Sequence, residues 1–219
     1  MVRTAVQRMS RRAEFWLIVF LAFGPYIVGS TRIFLSGRPV VLTDRWALEL
    51  AVGDGIVFGL VAMIARVRGW SLRGLGLQPS WRLTGAGLLL YLAGSLTLSV
   101  GYALASAVHT IPDAPMTAGS LSLWAVLLVS VLNPIFEEIF VVGYVVRMTQ
   151  SDGAAFAVTA SALLRLLYHT YQGPLAAVCI LPLGLIFAGV YVRYGELWPL
   201  IVAHAVMDAV GLTNLLYAA

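Results

Sequence analysis

The chain has 219 residues, of which 60% are hydrophobic and only 11% are charged, and its formal net charge at pH 7 is +4. Soluble domains carry about 25% charged residues, so this composition excludes an ordinary soluble protein and indicates one membrane domain with several spanning helices. The single cysteine, Cys179, excludes an intrachain disulfide.

Seven apolar segments are candidates for membrane-spanning helices, which need about 20 mostly apolar residues. In chain order they cover residues 14–35, 46–67, 84–108, 121–148, 154–170, 174–193 and 197–217. Asn133-Pro134 is expected to kink the fourth helix, because proline removes a backbone hydrogen bond. The predicted fold is therefore an all-α, polytopic bundle of about seven transmembrane helices.

The arginines predict the orientation of the bundle, because cytoplasmic loops are enriched in basic residues. The chain contains no lysine. If the N-terminus is cytoplasmic, ten arginines lie inside and three outside. The inner set is Arg3, Arg8, Arg11, Arg12, Arg66, Arg68, Arg73, Arg82, Arg147 and Arg193, and the outer set is Arg32, Arg38 and Arg45. The segment Arg68–Arg82, with its tryptophans and leucines, is expected to lie in the cytoplasmic interface rather than to span the membrane.

Several ionisable residues interrupt the apolar helices, and a charge at the bilayer centre costs about 3 kcal/mol even on lenient scales. Each should therefore face the bundle interior and find a partner. These residues are Asp54, Glu137, Glu138, Arg165, His169, His204 and Asp208.

The spacing of these residues places some of them on common helix faces. Arg165 and His169 are four residues apart, as are His204 and Asp208, so each pair shares one face of its helix. Glu137 and Glu138 are adjacent and point about 100° apart around the helix axis. One of them is expected to face the reacting centre while the other turns toward a neighbouring helix.

Two hydrolytic routes suit such a set of groups. Two histidines and a carboxylate can bind zinc or iron with a position left for water. A buried glutamate can instead act as a general base without a metal, while a histidine stabilises the oxyanion or protonates the leaving amine. The H-E-x-x-H and G-x-S-x-G motifs are absent. An aspartyl dyad of Asp54 and Asp208 is a minor alternative, since it would leave the glutamates and histidines unused.

Three motifs in order resemble the CPBP family, which comprises type II CAAX prenyl proteases and bacteriocin-processing or self-immunity (ABI) membrane proteins. They are Glu137-Glu138-Ile139-Phe140-Val141-Val142-Gly143, then Arg165-Leu166-Leu167-Tyr168-His169, then His204-Ala205-Val206-Met207-Asp208. The resemblance covers roughly residues 120–217.

This resemblance implies a role for each motif residue. Glu137 is implied as the base that activates water and Glu138 as a supporting carboxylate. His169, His204 and Asp208 would complete the polar centre, and a divalent metal such as zinc, if one is used, would be bound by Glu137, His169 and His204.

Two positions depart from the family pattern. Val142 stands where the first motif usually has arginine, and Arg165 stands where the second usually has phenylalanine. Position 142 lies one turn beyond Glu138, so we hypothesise that Arg165 supplies the missing positive charge from the fifth helix. Loss of catalysis with retention of the scaffold is the alternative.

The sequence thus favours an intramembrane endopeptidase in one integral-membrane domain. Residues 1–120 would form the N-terminal helices and the interfacial segment, and residues 121–219 the catalytic helices. The alternatives are a non-catalytic scaffold or immunity protein and a proton-coupled transporter. Expected partners are membrane lipid and a peptide, lipidated or transmembrane protein substrate, with no nucleic acid, in the plasma membrane of a prokaryote.

Overall fold

The computed structural model describes residues 7–108 and 116–218, so Arg3 lies outside the described residues. The described part of the chain forms seven main helices. They are α1 (Arg11–Ser36), α2 (Asp44–Arg68), α3 (Trp81–Val108), α4 (Leu123–Thr149), α5 (Ala154–His169), α6 (Pro174–Tyr194) and α7 (Trp198–Ala218). The all-α, polytopic fold class is confirmed.

Six of these helices are long and apolar enough to cross a membrane, counting only the residues that the structure describes. The exception is α5, which has only 16 residues, Ala154–His169. It nevertheless packs against α1 and α6, and it supplies two of the predicted site residues. The composition and these helices identify an integral membrane protein.

Local sequence signals explain where the first two helices begin and end. The side chains of Ser10 and Thr43 each accept a hydrogen bond from a backbone amide in the first turn, at 3.2 and 3.1 Å. Such capping satisfies amides that have no partner within the helix. Gly37 and Gly69 follow the last turns with φ of 61° and 70°, the left-handed conformation that glycine adopts without strain.

The fourth helix is the most deeply buried of the spanning candidates. It is α-helical over Leu123–Glu137, π-helical over Glu138–Tyr144 and α-helical again over Val145–Thr149. Short π-helical segments are rare and occur frequently at functional sites. The sequence did not predict this segment, and the kink expected at Asn133-Pro134 stays a prediction.

Two short strands, which the sequence also did not predict, close one end of the bundle. β1 (Val40–Leu42) pairs in parallel with β2 (Met116–Ala118). Beside this pair, the backbone amide and the hydroxyl of Ser122 both donate to Asp44 Oδ1, at 2.7 and 2.8 Å. The N-terminal ends of α2 and α4 are therefore fixed together next to the strands.

Candidate active site

Glu137 lies in the wall of a cavity of about 400 Å³ and is itself only 6% exposed. Three neighbours hold its carboxylate. Asn133, one turn earlier on α4, donates to Oε1 at 3.1 Å, and the Tyr168 hydroxyl donates to Oε2 at 2.5 Å. Arg165 Nη1 lies 3.4 Å from Oε2. The carboxylate is therefore fixed in one orientation at the cavity wall.

Glu138 is fully buried behind this wall. Its Oε1 accepts hydrogen bonds from Arg165 Nη2 at 2.6 Å and from His204 Nδ1 at 2.7 Å. The sequence predicted that one glutamate faces the centre while the other turns to a neighbouring helix. In the structure Glu137 reaches the cavity, whereas Glu138 joins α4 to both α5 and α7.

Arg165 lies where it must lie if it supplies the positive charge that is missing at Val142. It pairs with Glu138 at 2.6 Å, and Val142 is a fully buried apolar residue. The guanidinium carbon also lies 5.5 Å from the centre of the Phe187 ring, within the range of a cation–π interaction. The positive charge beside Glu138 thus comes from α5 rather than from α4.

His204 and Asp208 share one face of α7, as their spacing predicted. His204 Nε2 lies 3.5 Å from Asp208 Oδ1 and 4.0 Å from Glu137 Oε2. Because a carboxylate oxygen only accepts hydrogen bonds, His204 Nδ1 carries the hydrogen directed at Glu138. Asp208 Oδ2 in turn lies 3.4 Å from Asn133 Nδ2. The imidazole therefore stands between carboxylates from two helices.

His169 is the last residue of α5 and lines the cavity together with Glu137 and Asp208. Its Nδ1 lies 3.0 Å from the backbone carbonyl oxygen of Arg165. A carbonyl oxygen is also only an acceptor, so Nδ1 again carries the hydrogen. In the neutral ring Nε2 is then left as an acceptor.

Two polar residues of the site were not among the predicted site residues. Asn133 contacts both Glu137 and Asp208, and Tyr168 makes the shortest hydrogen bond to Glu137. Their spacing from predicted site residues in the sequence could have identified them. Asn133 precedes Glu137 by four residues and so shares its helix face, and Tyr168 follows Arg165 by three.

Asp54 has a different environment from Asp208. Its Oδ1 accepts a hydrogen bond from the Tyr26 hydroxyl at 2.7 Å. Asp208 instead contacts His204 and Asn133. The geometry therefore assigns the two aspartates to separate contacts, and it offers no support for an aspartyl dyad.

The donor atoms of the site do not form a metal-ligand set. Within residues 7–108 and 116–218, no group of three or more histidine, cysteine, aspartate and glutamate side chains is placed to hold a metal ion. The nitrogen Nδ1 of each histidine is used in a hydrogen bond, which leaves Nε2 as the nitrogen that could bind a metal, and both oxygens of Glu137 accept hydrogen bonds. We therefore assign no step of the reaction to a metal, and a metal site at Glu137, His169 and His204 stays a prediction from the sequence.

The rest of the cavity wall is mainly apolar. It includes side chains from both strands and from α1, α2, α4 and α7, among them Phe23, Leu42, Leu50, Met116, Val129, Phe136 and Leu212. Tyr171 and Gln172, in the turn that follows α5, also line the cavity. Burial raises the pKa of the Tyr171 hydroxyl to about 12, so that this group remains a neutral donor. A few polar groups in an apolar cavity are typical of a small-molecule or peptide site.

Part of the chain is similar to a known family. Residues 119–210 match the family model described as type II CAAX prenyl endopeptidase Rce1-like. The match covers less than half of the chain, and it contains all six predicted site residues. No curated protein and no solved structure matches the chain significantly. The resemblance deduced from the three motifs is thus confirmed for this segment, and the family that the segment matches is one of peptidases.

Proposed function

We propose that the protein is an intramembrane endopeptidase in which Glu137 activates a water molecule for attack on a peptide bond. One observation carries this proposal: Glu137 is the glutamate at the wall of the cavity, and its orientation is fixed by Asn133, Tyr168 and Arg165. A general base must lie within hydrogen-bond reach of the proton that it removes, and a water molecule in the cavity beside Glu137 meets this condition.

The reaction then follows general acid–base chemistry. Glu137 accepts a proton from water while the water oxygen bonds to the carbonyl carbon of the substrate. The tetrahedral intermediate collapses as the carbon–nitrogen bond breaks, and Glu137 returns the proton to the leaving amine. Water is the only co-reactant, and the glutamate is regenerated.

The two histidines are assigned to contacts with the substrate and the attacking water. His204 Nε2 is 4.0 Å from Glu137 Oε2. With hydrogens on both ring nitrogens, the form that the carboxylates around the ring favour, it can donate to an oxyanion formed beside the base. His169 Nε2 is an acceptor at the same cavity, and we assign it to orient the attacking water or a substrate amide. Asp208 holds His204 from the next turn of α7.

Glu138 and Arg165 act as positioning residues in this proposal. The Arg165–Glu138 pair and the hydrogen bond from Glu138 to His204 connect α4, α5 and α7. Such contacts fix the orientation of groups that touch the substrate, which is how residues behind a catalytic centre contribute to rate.

The decisive experiment compares cleavage of a fluorogenic peptide library by the purified protein and by Glu137→Gln. General-base catalysis contributes about 100-fold or more, so we expect cleavage to fall by at least this factor while the fold is preserved. Glu196→Gln, at the opposite end of the bundle from the strands, is the matched control and should cleave normally. Equal cleavage by Glu137→Gln would contradict the mechanism, and its full complementation in cells would favour a scaffold.

A further inference from the structure

The cavity containing Glu137 extends to one particular end of the bundle. Its lining includes both strands, the first turns of α2 and the turn after α5, represented by Val40, Met116, Trp46 and Tyr171. Contacts place these segments together. The strands pair with each other, and Ser30 near the end of α1 bonds to Thr170 at 2.9 Å and to the Tyr171 amide at 2.7 Å. We call this the mouth end.

Most of the arginines lie at the other end of the bundle. Arg68 at the end of α2 pairs with Glu14 at the start of α1, and Arg147 near the end of α4 donates to the Gly74 carbonyl. The amide of Leu197, between α6 and α7, donates to the Gly76 carbonyl at 3.0 Å. Ends of α1, α2, α4, α6 and α7 therefore meet at what we call the arginine end.

The two ends differ threefold in arginine content within the described part of the chain. The arginine end has nine, and they are Arg8, Arg11, Arg12, Arg66, Arg68, Arg73, Arg82, Arg147 and Arg193. The mouth end has three, which are Arg32, Arg38 and Arg45. Short loops rich in arginine remain in the cytoplasm during insertion.

We infer that the catalytic cavity opens away from the cytoplasm, and that the substrate is therefore a peptide segment presented on the extracytoplasmic side of the membrane. The second half of this inference rests on the proposed function. The apolar cavity wall further selects substrates with apolar side chains next to the cleaved bond, because removal of such side chains from water favours binding. A soluble cytoplasmic protein would not reach this cavity.

Orientation is tested without any dependence on catalysis. In a Cys179→Ala background, Ser120→Cys lies at the mouth end and Ser151→Cys at the arginine end, and both serines are exposed. A membrane-impermeant maleimide should label Ser120→Cys in intact cells and Ser151→Cys only after permeabilisation. Labelling of Ser151→Cys in intact cells, or of Ser120→Cys only after permeabilisation, would overturn the inference.

The substrate side is tested with one reporter peptide, carrying apolar residues, that is anchored on either face of the membrane in cells. Cleavage that Glu137→Gln abolishes should be at least tenfold greater for the outer reporter. Greater or equal cleavage of the inner reporter would overturn the substrate assignment. If neither reporter is cleaved although the cysteine pattern is as expected, the proposed function fails and the orientation stands.

Discussion

At the residue scale, the site brings together more carboxylates than a single cation can neutralise. Glu137, Glu138 and Asp208 all lie within 4.0 Å of a nitrogen of His204, and Arg165 pairs with the two glutamates. A buried carboxylate without a partner is costly, and removing one member of a buried pair typically costs about 3–5 kcal/mol. Arg165 is therefore the residue on which the stability of the site depends most.

Arg165→Phe restores the residue usual in the CPBP family but removes the partner of Glu138. We expect a loss of stability of about 3–5 kcal/mol and a loss of cleavage, measured by thermal unfolding in detergent and by peptide hydrolysis. Adding Val142→Arg should recover most of the lost stability and cleavage, because an arginine one turn beyond Glu138 can reach the same carboxylate.

Val142→Arg alone is the control for this exchange. It places a second cation in a fully buried position beside a glutamate that is already paired, and it should destabilise the protein. If the double variant is no more active or stable than Arg165→Phe, then Arg165 does not replace the arginine of the family motif.

Metal use gives a second prediction at this scale. Because the described donor atoms form no metal-ligand set, peptide cleavage should change by less than about twofold after dialysis against EDTA or 1,10-phenanthroline. Metal analysis of the same samples provides the control. A loss of activity that added Zn²⁺ restores would return Glu137, His169 and His204 to the role of ligands.

At the element scale, the helices were predictable and the irregular segments were not. Apolar length fixed the seven segments within about three residues of their observed ends, because hydrophobic thickness imposes a strong constraint on membrane helices. The π-helical segment Glu138–Tyr144 and the pairing of β1 with β2 arise from tertiary contacts. A three-residue strand carries too little pattern to be recognised from sequence alone.

The candidate site was predictable to a similar degree. The six residues from the three motifs were placed at or next to one cavity, and the Arg165–Glu138 contact followed from charge balance. Asn133 was interpreted only through its neighbour Pro134, and Tyr168 only as part of a motif. Burying a neutral polar side chain in a membrane helix costs less free energy than burying a charge. Asn133 and Tyr168 were therefore weaker indications of a functional site than the ionisable residues.

Gly76 provides a test of the arginine end. It has φ of 82°, and an added Cβ would meet the backbone carbonyl of Gly195. Gly76→Ala should cost about 1–2 kcal/mol for the left-handed conformation and about 1–3 kcal/mol more for the clash. Gly69→Ala is the matched control, since φ is 70° there with open space around the Cβ. Equal losses of thermal stability in the two variants would show that the contact with Gly195 is unimportant.

At the scale of the whole molecule, the cavity is built from both halves of the chain. The polar centre lies within the matched residues 119–210, whereas much of the apolar wall comes from α1, β1 and α2, through Phe23, Tyr26, Gly29, Leu42 and Leu50. The chemistry and the selection of substrates are therefore assigned to different segments. Substitutions in the first fifty residues should alter which peptides are cleaved without affecting the base.

Gly29 offers a direct test of this division. It lines the cavity, and a Cβ added there meets no atom within 4 Å, so Gly29→Leu should fold normally while its side chain fills part of the cavity. We expect kcat/KM for large apolar peptides to fall at least tenfold, with the thermal midpoint unchanged within about 2 °C. Gly55→Leu is the matched control, because Gly55 is an exposed helical glycine with equally open space. If both variants cleave every peptide like the unmodified protein, then α1 does not form part of the substrate site.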